Sequence, residues 1–368
     1  MIPVFQPVFG EEEIAYVTDA LRKGEISGTF GHYLGKFEQE FAAYCGCKHG
    51  VATTSGTTAL QLAVAAAGIK SGDEVLLSSS TNIATALAVA HNSAIPVPVD
   101  SENETWNLNL DLIEPLITDK TKAIIPVHLF GHPVDMDRVM EIANRYGLVV
   151  IEDCAESHGA TVRGRMTGGL GHMGCFSFYA NKVITTGEGG MVVTNDEALA
   201  ERLRLLRNLG FTKPRFRHEV LAFNFRMTGY QAAMGMAQLE KIDHIIAEKR
   251  RVAATYNKHL ANIPGLHLPV EKDWARNVYW MYAITVGEDF RRTRDALAAA
   301  LFELGIDTRT FFCPMNQQPC LQDIPGFRAV PCPVADTLWE TGMYLPSTYT
   351  LDEPTIRHIS ETIRSLAG

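Results

Sequence analysis

Short apolar runs rich in β-branched residues alternate with helical patterns over residues 51–210. The runs EVLLS at 74–78, TKAIIPVHL at 121–129 and GLVVIED at 147–153 have the character of buried strands. Alternating strands and helices imply βαβ crossovers and a mostly parallel sheet covered on both faces. The pattern therefore predicts an α/β fold, in which ligands bind at the carboxyl ends of the strands.

The pattern changes in the last third of the chain. Residues 238–260 form a charged amphipathic stretch without Gly or Pro, followed by Ile263-Pro264-Gly265, which predicts a helix with a firm end. We expect this helix to link a large domain at 1–240 to a smaller α+β domain at 241–368. The elements predicted for the small domain are a strand at 279–286, a helix around 293–304, a short strand within 306–312 and a helix from Glu353.

Composition excludes several classes of partner. With 46% hydrophobic and 20% charged residues, the 368-residue chain resembles a folded globular protein. Its net charge of −9 argues against nucleic acid, because phosphate backbones are bound by clustered Lys and Arg. No apolar stretch approaches the roughly 20 residues that cross a bilayer, and no signal peptide is evident, so we expect a cytoplasmic protein without a membrane partner. The seven cysteines include no Cys-x-x-Cys pair, which favours reduced structural thiols.

The segment SGTTAL at 55–60 lies where an alanine-rich helix begins. Free N–H groups and the positive end of the helix dipole suit a phosphate there, and Gly56, Thr57 and Thr58 are small enough to allow close approach. The same residues also fit an ordinary helix N-cap without any ligand. SGTTAL alone leaves both interpretations open.

Asp153 follows the run GLVVIE, at the predicted carboxyl edge of the sheet. A carboxylate in this position can pair with a pyridine nitrogen and keep it protonated, which makes the ring an electron sink. Alternatively, Glu152 and Asp153 cap the helix that follows.

Lys182 lies between two apolar runs, CFSFY and MVVTN, next to the Gly-rich loop ITTGEGG. A lysine placed in this way is partly desolvated, which lowers its pKa and favours the free amine that forms a Schiff base. Most lysines are solvated surface charges, but Ser177 and the aromatic residues near Lys182 favour a functional role.

Two other motifs carry less weight. Residues 169–174, GLGHMG, match G-x-G-x-x-G but lead into a strand, whereas a dinucleotide fingerprint follows a strand and opens a helix. His128 and His132 have the spacing of zinc ligands, yet the expected Glu is missing and VHLF is typical of a strand. We predict neither a dinucleotide site nor a metal site.

Four motifs occur in the order and spacing of one known family: SGTTAL, VIEDCAES, FSFYANKVITTGEGG and FNFRMTGYQAA. Together they resemble the DegT/StrS-type sugar aminotransferases, which use pyridoxal 5'-phosphate (PLP) and have the PLP-dependent transferase fold type I. The likeness runs from near Phe9 to the C-terminus. The tract NKVITTGEGGM, with WMYAITV, is most similar to GDP-perosamine synthases and other enzymes that aminate C4 of nucleotide-linked 4-keto-6-deoxy sugars.

This resemblance implies roles for the residues singled out above. Lys182 would bear PLP covalently and move the proton during transfer, Asp153 would bond the pyridine nitrogen, and Glu156 would lie near the ring hydroxyl. The phosphate would be held by Gly56, Thr57 and Ser177, with Thr58 at the same helix start.

The resemblance also implies partners. In this family the asparagine of FNFRM reaches the phosphate of a neighbouring subunit, so Asn224 implies a homodimer with shared active sites, and Arg226 is assigned to the substrate or the interface. The expected substrates are L-glutamate, as amino donor, and a nucleotide-linked keto sugar.

Two segments depart from the family pattern. Asn82, in SSSTNIATA, stands where the family has an aromatic residue that stacks on the cofactor. FFCPMNQQPC at 311–320 replaces a His-rich stretch of the perosamine synthases. The nucleotide and the stereochemistry of the sugar are left open.

Two alternatives to an aminotransferase remain on the same fold. A sugar dehydratase of the family has histidine in place of the lysine, and Lys182 argues against it. A regulator that senses a ligand without catalysis is the other, since a fold does not fix a function.

Overall fold

The computed structural model describes residues 1–214 and 216–367. The strands are β1 (His49–Thr53), β2 (Glu74–Ser78), β3 (Ile95–Val99), β4 (Thr121–Ile125), β5 (Val149–Asp153), β6 (Thr161–Val162), β7 (Arg165–Met166), β8 (Met173–Ser177), β9 (Gly190–Thr194), β10 (Leu266–His267), β11 (Ala275–Arg276), β12 (Tyr282–Val286), β13 (Arg309–Thr310) and β14 (Gly342–Leu345). The α-helices are α1 (Glu11–Arg22), α2 (His32–Tyr44), α3 (Gly56–Ala66), α4 (Ala84–Ala90), α5 (Met136–Tyr146), α6 (Glu197–Arg207), α7 (Gly229–Glu240), α8 (Ile242–Leu260), α9 (Arg294–Glu303), α10 (Pro319–Gln322), α11 (Pro333–Thr341) and α12 (Glu353–Ala367). Short 3-10 helices lie at Leu110–Leu112, Glu114–Leu116, Leu129–Gly131 and Met315–Gln317.

The main sheet has seven strands in the order β1-β9-β8-β5-β4-β2-β3. The pairs from β8 to β3 are parallel, and β9 runs antiparallel to both β1 and β8. The predicted α/β fold with a mostly parallel sheet is therefore confirmed. Its parallel strands bring the chain segments after β2, β4, β5 and β8 to one edge.

Both faces of this sheet are covered, because successive side chains of a strand point to opposite faces. Val75 and Leu77 pack into one apolar cluster with α3 and α4, whereas Leu76 packs into a second cluster with α5. A third cluster joins α2 and α7 to β8 and β9. Burial on both faces explains why EVLLS reads as a continuous apolar run and not as an alternating one.

A smaller sheet, in the order β10-β12-β14-β13, lies in the C-terminal part of the chain. It packs against α8, α9 and α12 around its own apolar cluster. Ile2, at the start of the chain, pairs with Ile306 and packs against the same cluster. The domain boundary at 240/241 stays a prediction.

The helix predicted over 238–260 is wrong at its start. Gln238 belongs to α7, and α8 begins at Ile242 after a break at Lys241, where φ is −116° and ψ is 11°. The ammonium of Lys241 pairs with Glu13 of α1. Neither Gly nor Pro marks the break, so the amphipathic pattern runs across it.

The strand predicted over 121–129 is too long. It ends at Ile125, and the segment Leu129–Gly131 forms a 3-10 helix with Phe130 at φ 52°. Pro126 cannot donate a ladder hydrogen bond, which ends regular pairing at this point.

Across 1–214 and 216–367, no helix is both long enough and apolar enough to span a membrane.

Candidate active site

A cavity of about 280 Å³ opens at the carboxyl ends of β5 and β8. It combines groups from four parts of the large sheet with aromatic side chains from the C-terminal part of the chain. Six of the eight residues nominated from the sequence line it: Gly56, Thr57, Asp153, Glu156, Ser177 and Lys182. Thr58 and Asn224 do not.

Lys182 occupies a turn after β8, and its side chain is only 11% exposed. Its Nζ lies 3.9 Å from Oε1 of Glu156 and 3.9 Å from the centroid of the Trp280 ring. Burial lowers the pKa of Lys182, and the nearby Glu156 and Asp153 carboxyls oppose this shift. Because desolvation dominates, the site favours a larger share of free amine than a surface lysine has.

Asp153 ends β5 and points into the cavity. Thr85 Oγ1 donates to its Oδ2 at 2.7 Å, and the Ala155 N–H donates to its Oδ1 at 3.1 Å. Burial raises the pKa of Asp153, while these two hydrogen bonds and the charge of Lys182 lower it. The carboxyl group is thus held in a fixed orientation by donors on both oxygens.

Glu156 is almost fully buried beside Lys182. Its Oε2 accepts the Phe130 N–H at 2.8 Å, so the carboxyl group is held in one position. Burial raises the pKa of Glu156 to about 7, although the Lys182 charge acts in the opposite direction. This group therefore changes charge near neutral pH.

The start of α3 forms one wall of the cavity. The amide N–H groups of Gly56 and Thr57, at the first two positions of the helix, have no partner inside it and carry the positive end of its dipole. A Cβ on Gly56 would lie 2.6 Å from the Ser177 Cβ, so only glycine permits this approach of helix and serine. The result is a small concave group of N–H and O–H donors.

Thr58 lies at the predicted helix start but does not line the cavity. Its N–H donates to Ser55 Oγ at 3.1 Å, and its hydroxyl accepts the Ser55 N–H at 2.9 Å, which is a capping box. The ordinary N-cap considered for SGTTAL is therefore present, and it coexists with the open N–H groups of Gly56 and Thr57. The Thr58 hydroxyl is already used within the helix start.

Asn224 is exposed and lies outside the cavity of its own chain. It forms an isolated bridge with Asn208, beside Arg226, whose guanidinium donates to Asn208 Oδ1 at 2.7 Å. The structure therefore does not bring Asn224 together with Lys182 within one chain.

Three residues of the site were missed in the sequence. Thr85 orients Asp153, Asn181 precedes Lys182, and Trp280 covers the lysine amine. Trp280 Nε1 donates to the Asn181 backbone oxygen at 2.6 Å. Asn181 Oδ1 is buried and has no hydrogen-bond partner among residues 1–214 and 216–367. The resemblance had drawn attention to WMYAITV, but only the fold brings Trp280 to Lys182.

Asn82 lines the cavity, and its Oδ1 accepts the Ala84 N–H at 3.0 Å. The aromatic residues of the cavity wall come from other segments: Tyr179, Trp280, Phe312 and Tyr344. Phe312 belongs to FFCPMNQQPC, so this segment borders the cavity.

The two weak motifs have structural partners. Glu152 accepts the N–H groups of Gly168, Leu170 and Gly171 at 2.7–2.9 Å, so the loop before β8 is bound by a carboxylate of the protein itself. His128 Nδ1 accepts the Val134 N–H at 3.0 Å, and its Nε2 faces Glu152 at 3.2 Å.

The residues present fit PLP. A Schiff-base lysine, a carboxyl group for the pyridine nitrogen and open N–H donors for a phosphate are the groups that this cofactor needs. The cradle of Gly56 and Ser177 is accessible only because Gly56 lacks a Cβ, and the orphaned Asn181 Oδ1 adds a buried acceptor without a partner among the described residues. The fold is α/β, and the cavity places a buried lysine, Lys182, at the carboxyl edge of its sheet.

Comparison with known proteins identifies the family. A model of the DegT/DnrJ/EryC1/StrS aminotransferase family matches residues 7–364, and the chain belongs to this family. GDP-perosamine synthase of Caulobacter vibrioides is 45% identical over 320 residues, 86% of this chain and 86% of that protein. The dTDP-3-amino-3,4,6-trideoxy-α-D-glucose transaminase of Streptomyces venezuelae is 38% identical over 362 residues, 97% of this chain and 93% of that protein.

The fold is also found in solved structures. The PLP form of Spr1654 from Streptococcus pneumoniae superposes with a TM-score of 0.93 at 25% identity, covering 100% of this chain and 98% of that one. The predicted family, fold type, aminotransferase class and PLP cofactor are thereby confirmed.

Proposed function

We propose that this chain transfers an amino group from L-glutamate to C4 of a nucleotide-linked 4-keto-6-deoxy sugar, as a homodimer with shared active sites. The observation that carries the proposal is the buried amine of Lys182, which shares one cavity with the carboxyl groups of Asp153 and Glu156 and with the N-terminus of α3. When bound, PLP supplies an electron sink for the electrons of the C–H bond that is broken in the amino donor.

Lys182 is the proposed proton carrier. Its Nζ accepts the proton from the substrate carbon and returns it during the second half of the reaction, as general base and then general acid. Burial supports this role because it lowers the pKa of the ammonium and so brings proton release closer to neutral pH.

Asp153 and Glu156 are proposed to divide the ring contacts. Asp153, held by Thr85 and the Ala155 N–H, pairs with the pyridine nitrogen. Glu156, fixed by the Phe130 N–H, lies next to Lys182 and serves the ring hydroxyl.

The phosphate is assigned to the start of α3. The N–H groups of Gly56 and Thr57 and the hydroxyl of Ser177 are the donors, with Thr58 contributing the cap that keeps the helix start rigid. Such a helix N-terminus binds a phosphate through both its donors and its dipole.

A second subunit is proposed to complete each site. Asn224 is exposed, and two apolar residues close to it in the chain, Val220 and Leu221, are exposed as well, Leu221 at 99%. Exposed apolar side chains of this kind support a protein interface. A homodimer would cover them and carry Asn224 to the partner's phosphate. The cytoplasmic location expected from the sequence stays a prediction.

The acceptor is proposed from the tract NKVITTGEGGM and from the perosamine synthase relative. The S. venezuelae relative, whose name places nitrogen at C3, makes amination at C3 the alternative. A panel of GDP-, dTDP- and UDP-linked 3-keto and 4-keto sugars, supplied with glutamate, separates them. Nitrogen at C3 of the best product, seen by NMR, would contradict the C4 assignment and leave the aminotransferase intact.

The lysine assignment has its own test. Borohydride reduction of the PLP-loaded protein followed by peptide mapping should label Lys182. Label on another lysine, or on none, would overturn the site.

A further inference from the structure

A second buried lysine lies near the site. Lys249, in the middle of α8, is 2% exposed, and its Nζ donates to the carbonyl oxygens of Trp280 at 2.9 Å and Ser347 at 3.0 Å. Burial lowers its pKa to about 7. Among residues 1–214 and 216–367, no acidic side chain forms an ion pair with it. A lysine amine has enough N–H groups for both carbonyls whether or not it is charged.

The two carbonyls that Lys249 binds belong to neighbouring strand ends. Trp280 lies two residues before β12 and Ser347 two residues after β14, and these strands pair with Tyr282 opposite Leu345. The Tyr282 N–H also donates to Ser347 Oγ at 2.8 Å. Lys249 therefore joins both strand ends to α8 at the edge that faces the cavity.

Trp280 is the link from this edge to Lys182. The residue is 2% exposed; its indole N–H donates to the Asn181 backbone oxygen, and the centroid of its ring lies 3.9 Å from Nζ of Lys182. Gly131, at φ +101°, approaches the Trp280 backbone so closely that a Cβ there would lie 2.9 Å from the Trp280 backbone nitrogen. The Trp280 backbone is thus fixed between Gly131 and Lys249.

We propose that Lys249 is a positioning residue of the active site, which holds Trp280 so that the indole covers the amine of Lys182. This inference rests on the role proposed for Lys182. Without the Lys249 donor, two buried carbonyls lose their partner, which is a costly state. The strand ends would then shift towards another donor or towards water, and the indole would move with them. Water would reach Nζ of Lys182, whose burial the site depends on.

The test compares two forms of the cofactor. PLP bonds to Lys182, whereas pyridoxamine phosphate (PMP) uses the same ring and phosphate contacts without that bond. In Lys249→Met the affinity for PLP should fall about tenfold, or about 1.4 kcal/mol, while the affinity for PMP changes by about twofold or less. Trp280→Leu should show the same selective loss. The double variant should lose no more than Trp280→Leu alone, because residues that act through one another are not additive.

Tyr256→Phe is the matched control. Tyr256 lies on the same helix, and its hydroxyl donates to the Pro346 carbonyl at 3.0 Å, next to Ser347; within residues 1–214 and 216–367 its ring stacks on Tyr282 and not on Trp280. Its loss removes one buried hydrogen bond and should leave the ratio of PLP to PMP affinity unchanged. The inference would be overturned if Lys249→Met lost PLP and PMP affinity equally. It would also be overturned if Tyr256→Phe changed the ratio of PLP to PMP affinity as much as Lys249→Met does, because Lys249 would then only stabilise the fold.

Two further measurements keep the outcomes distinct. If Lys249→Met does not fold, Lys249→Gln keeps N–H donors on a shorter side chain, and a selective but smaller loss of PLP affinity is expected. Lys182→Ala tests the proposed function directly. If wild-type protein binds PLP no better than Lys182→Ala does, both proposals fail. If the preference for PLP is lost in Lys182→Ala but unchanged in Lys249→Met, only the role of Lys249 fails.

Discussion

Gly56→Ala tests whether the approach of α3 to Ser177 forms the phosphate site. The added Cβ would lie 2.6 Å from the Ser177 Cβ and 3.0 Å from its Oγ, well inside van der Waals contact, and the Ser177 Cα is only 3.2 Å away. Because two of these atoms are rigidly attached to β8, the helix start must move. Overpacking of this kind costs typically about 1–3 kcal/mol. If this cost is borne only by the cofactor-bound state, the affinities for PLP and PMP should both drop by about 5- to 160-fold.

Titration of the protein with PMP, followed by fluorescence or calorimetry, measures this loss without any covalent step. Gly35→Ala is the control, because Gly35 lies in α2 with open space around the position of a Cβ, where alanine should be neutral or stabilising. Gly56→Ala combined with Ser177→Gly removes the contacts with the serine Cβ and Oγ but keeps the 3.2 Å contact with the Cα, so the melting temperature should recover in part. Phosphate affinity should also recover only in part, because the serine hydroxyl is gone. Unchanged PMP affinity in Gly56→Ala would refute the placement of the phosphate at this helix.

Further predictions concern charge and assembly. Asp153→Ala should lower the rate of the glutamate half-reaction by orders of magnitude in single-turnover kinetics, and near-normal turnover would contradict its role. Thr85→Val removes a donor that lowers the pKa of Asp153, so the acidic limb of the kcat/KM profile should move to higher pH, and an unmoved limb would argue against this contact. Burial raises the folded-state pKa of Glu156 to about 7, so the folded state binds this proton more tightly than the unfolded state does. The stability gained from the protonated carboxyl group is therefore present at low pH and is lost as the pH rises through about 7. Glu156→Gln should therefore flatten the fall in the unfolding free energy of the cofactor-free protein between pH 5 and 8, and an unchanged slope would exclude this origin. Mixed Lys182→Ala and Asn224→Asp subunits, allowed to exchange, should regain activity with one intact site per mixed dimer, and no recovery would remove support for shared sites.

Local features of the chain were sufficient to predict much of the large sheet. EVLLS is a strand over the predicted residues, and Lys182 lies in a turn after β8, since apolar runs and a Gly-rich loop determine their own structure. The carboxyl groups of Asp153 and Glu156 could be located from one short segment, GLVVIEDCAES, because it is a buried strand followed directly by these side chains. These are places where local propensity and tertiary packing agree.

Features that depend on distant partners could not be predicted from local patterns. Trp280 reaches Asn181 across 99 positions of the chain, and Lys241, at the break between α7 and α8, pairs with Glu13 of α1. Thr85 lies in no recognisable motif. Its role could not be predicted from the sequence, because it depends on the hydrogen bond that its hydroxyl donates to Asp153 in the folded chain. In each case the decisive contact is made by the fold and not by neighbours in sequence.

Glu152 and Asp153 are adjacent in β5, yet they serve opposite faces of the sheet. Glu152 binds the N–H groups of the loop at 168–171, whereas Asp153 faces the cavity. Because side chains along a strand alternate, inserting or deleting one residue in β5 would send each carboxyl to the wrong face. Neither change can be corrected by a single substitution, because both carboxyl groups depend on the same register of β5. The amide protons of Gly168 and Gly171 should therefore resist exchange with solvent only when Asp153 is also correctly aimed, and their exchange rates would report the alignment of the site before any cofactor is added.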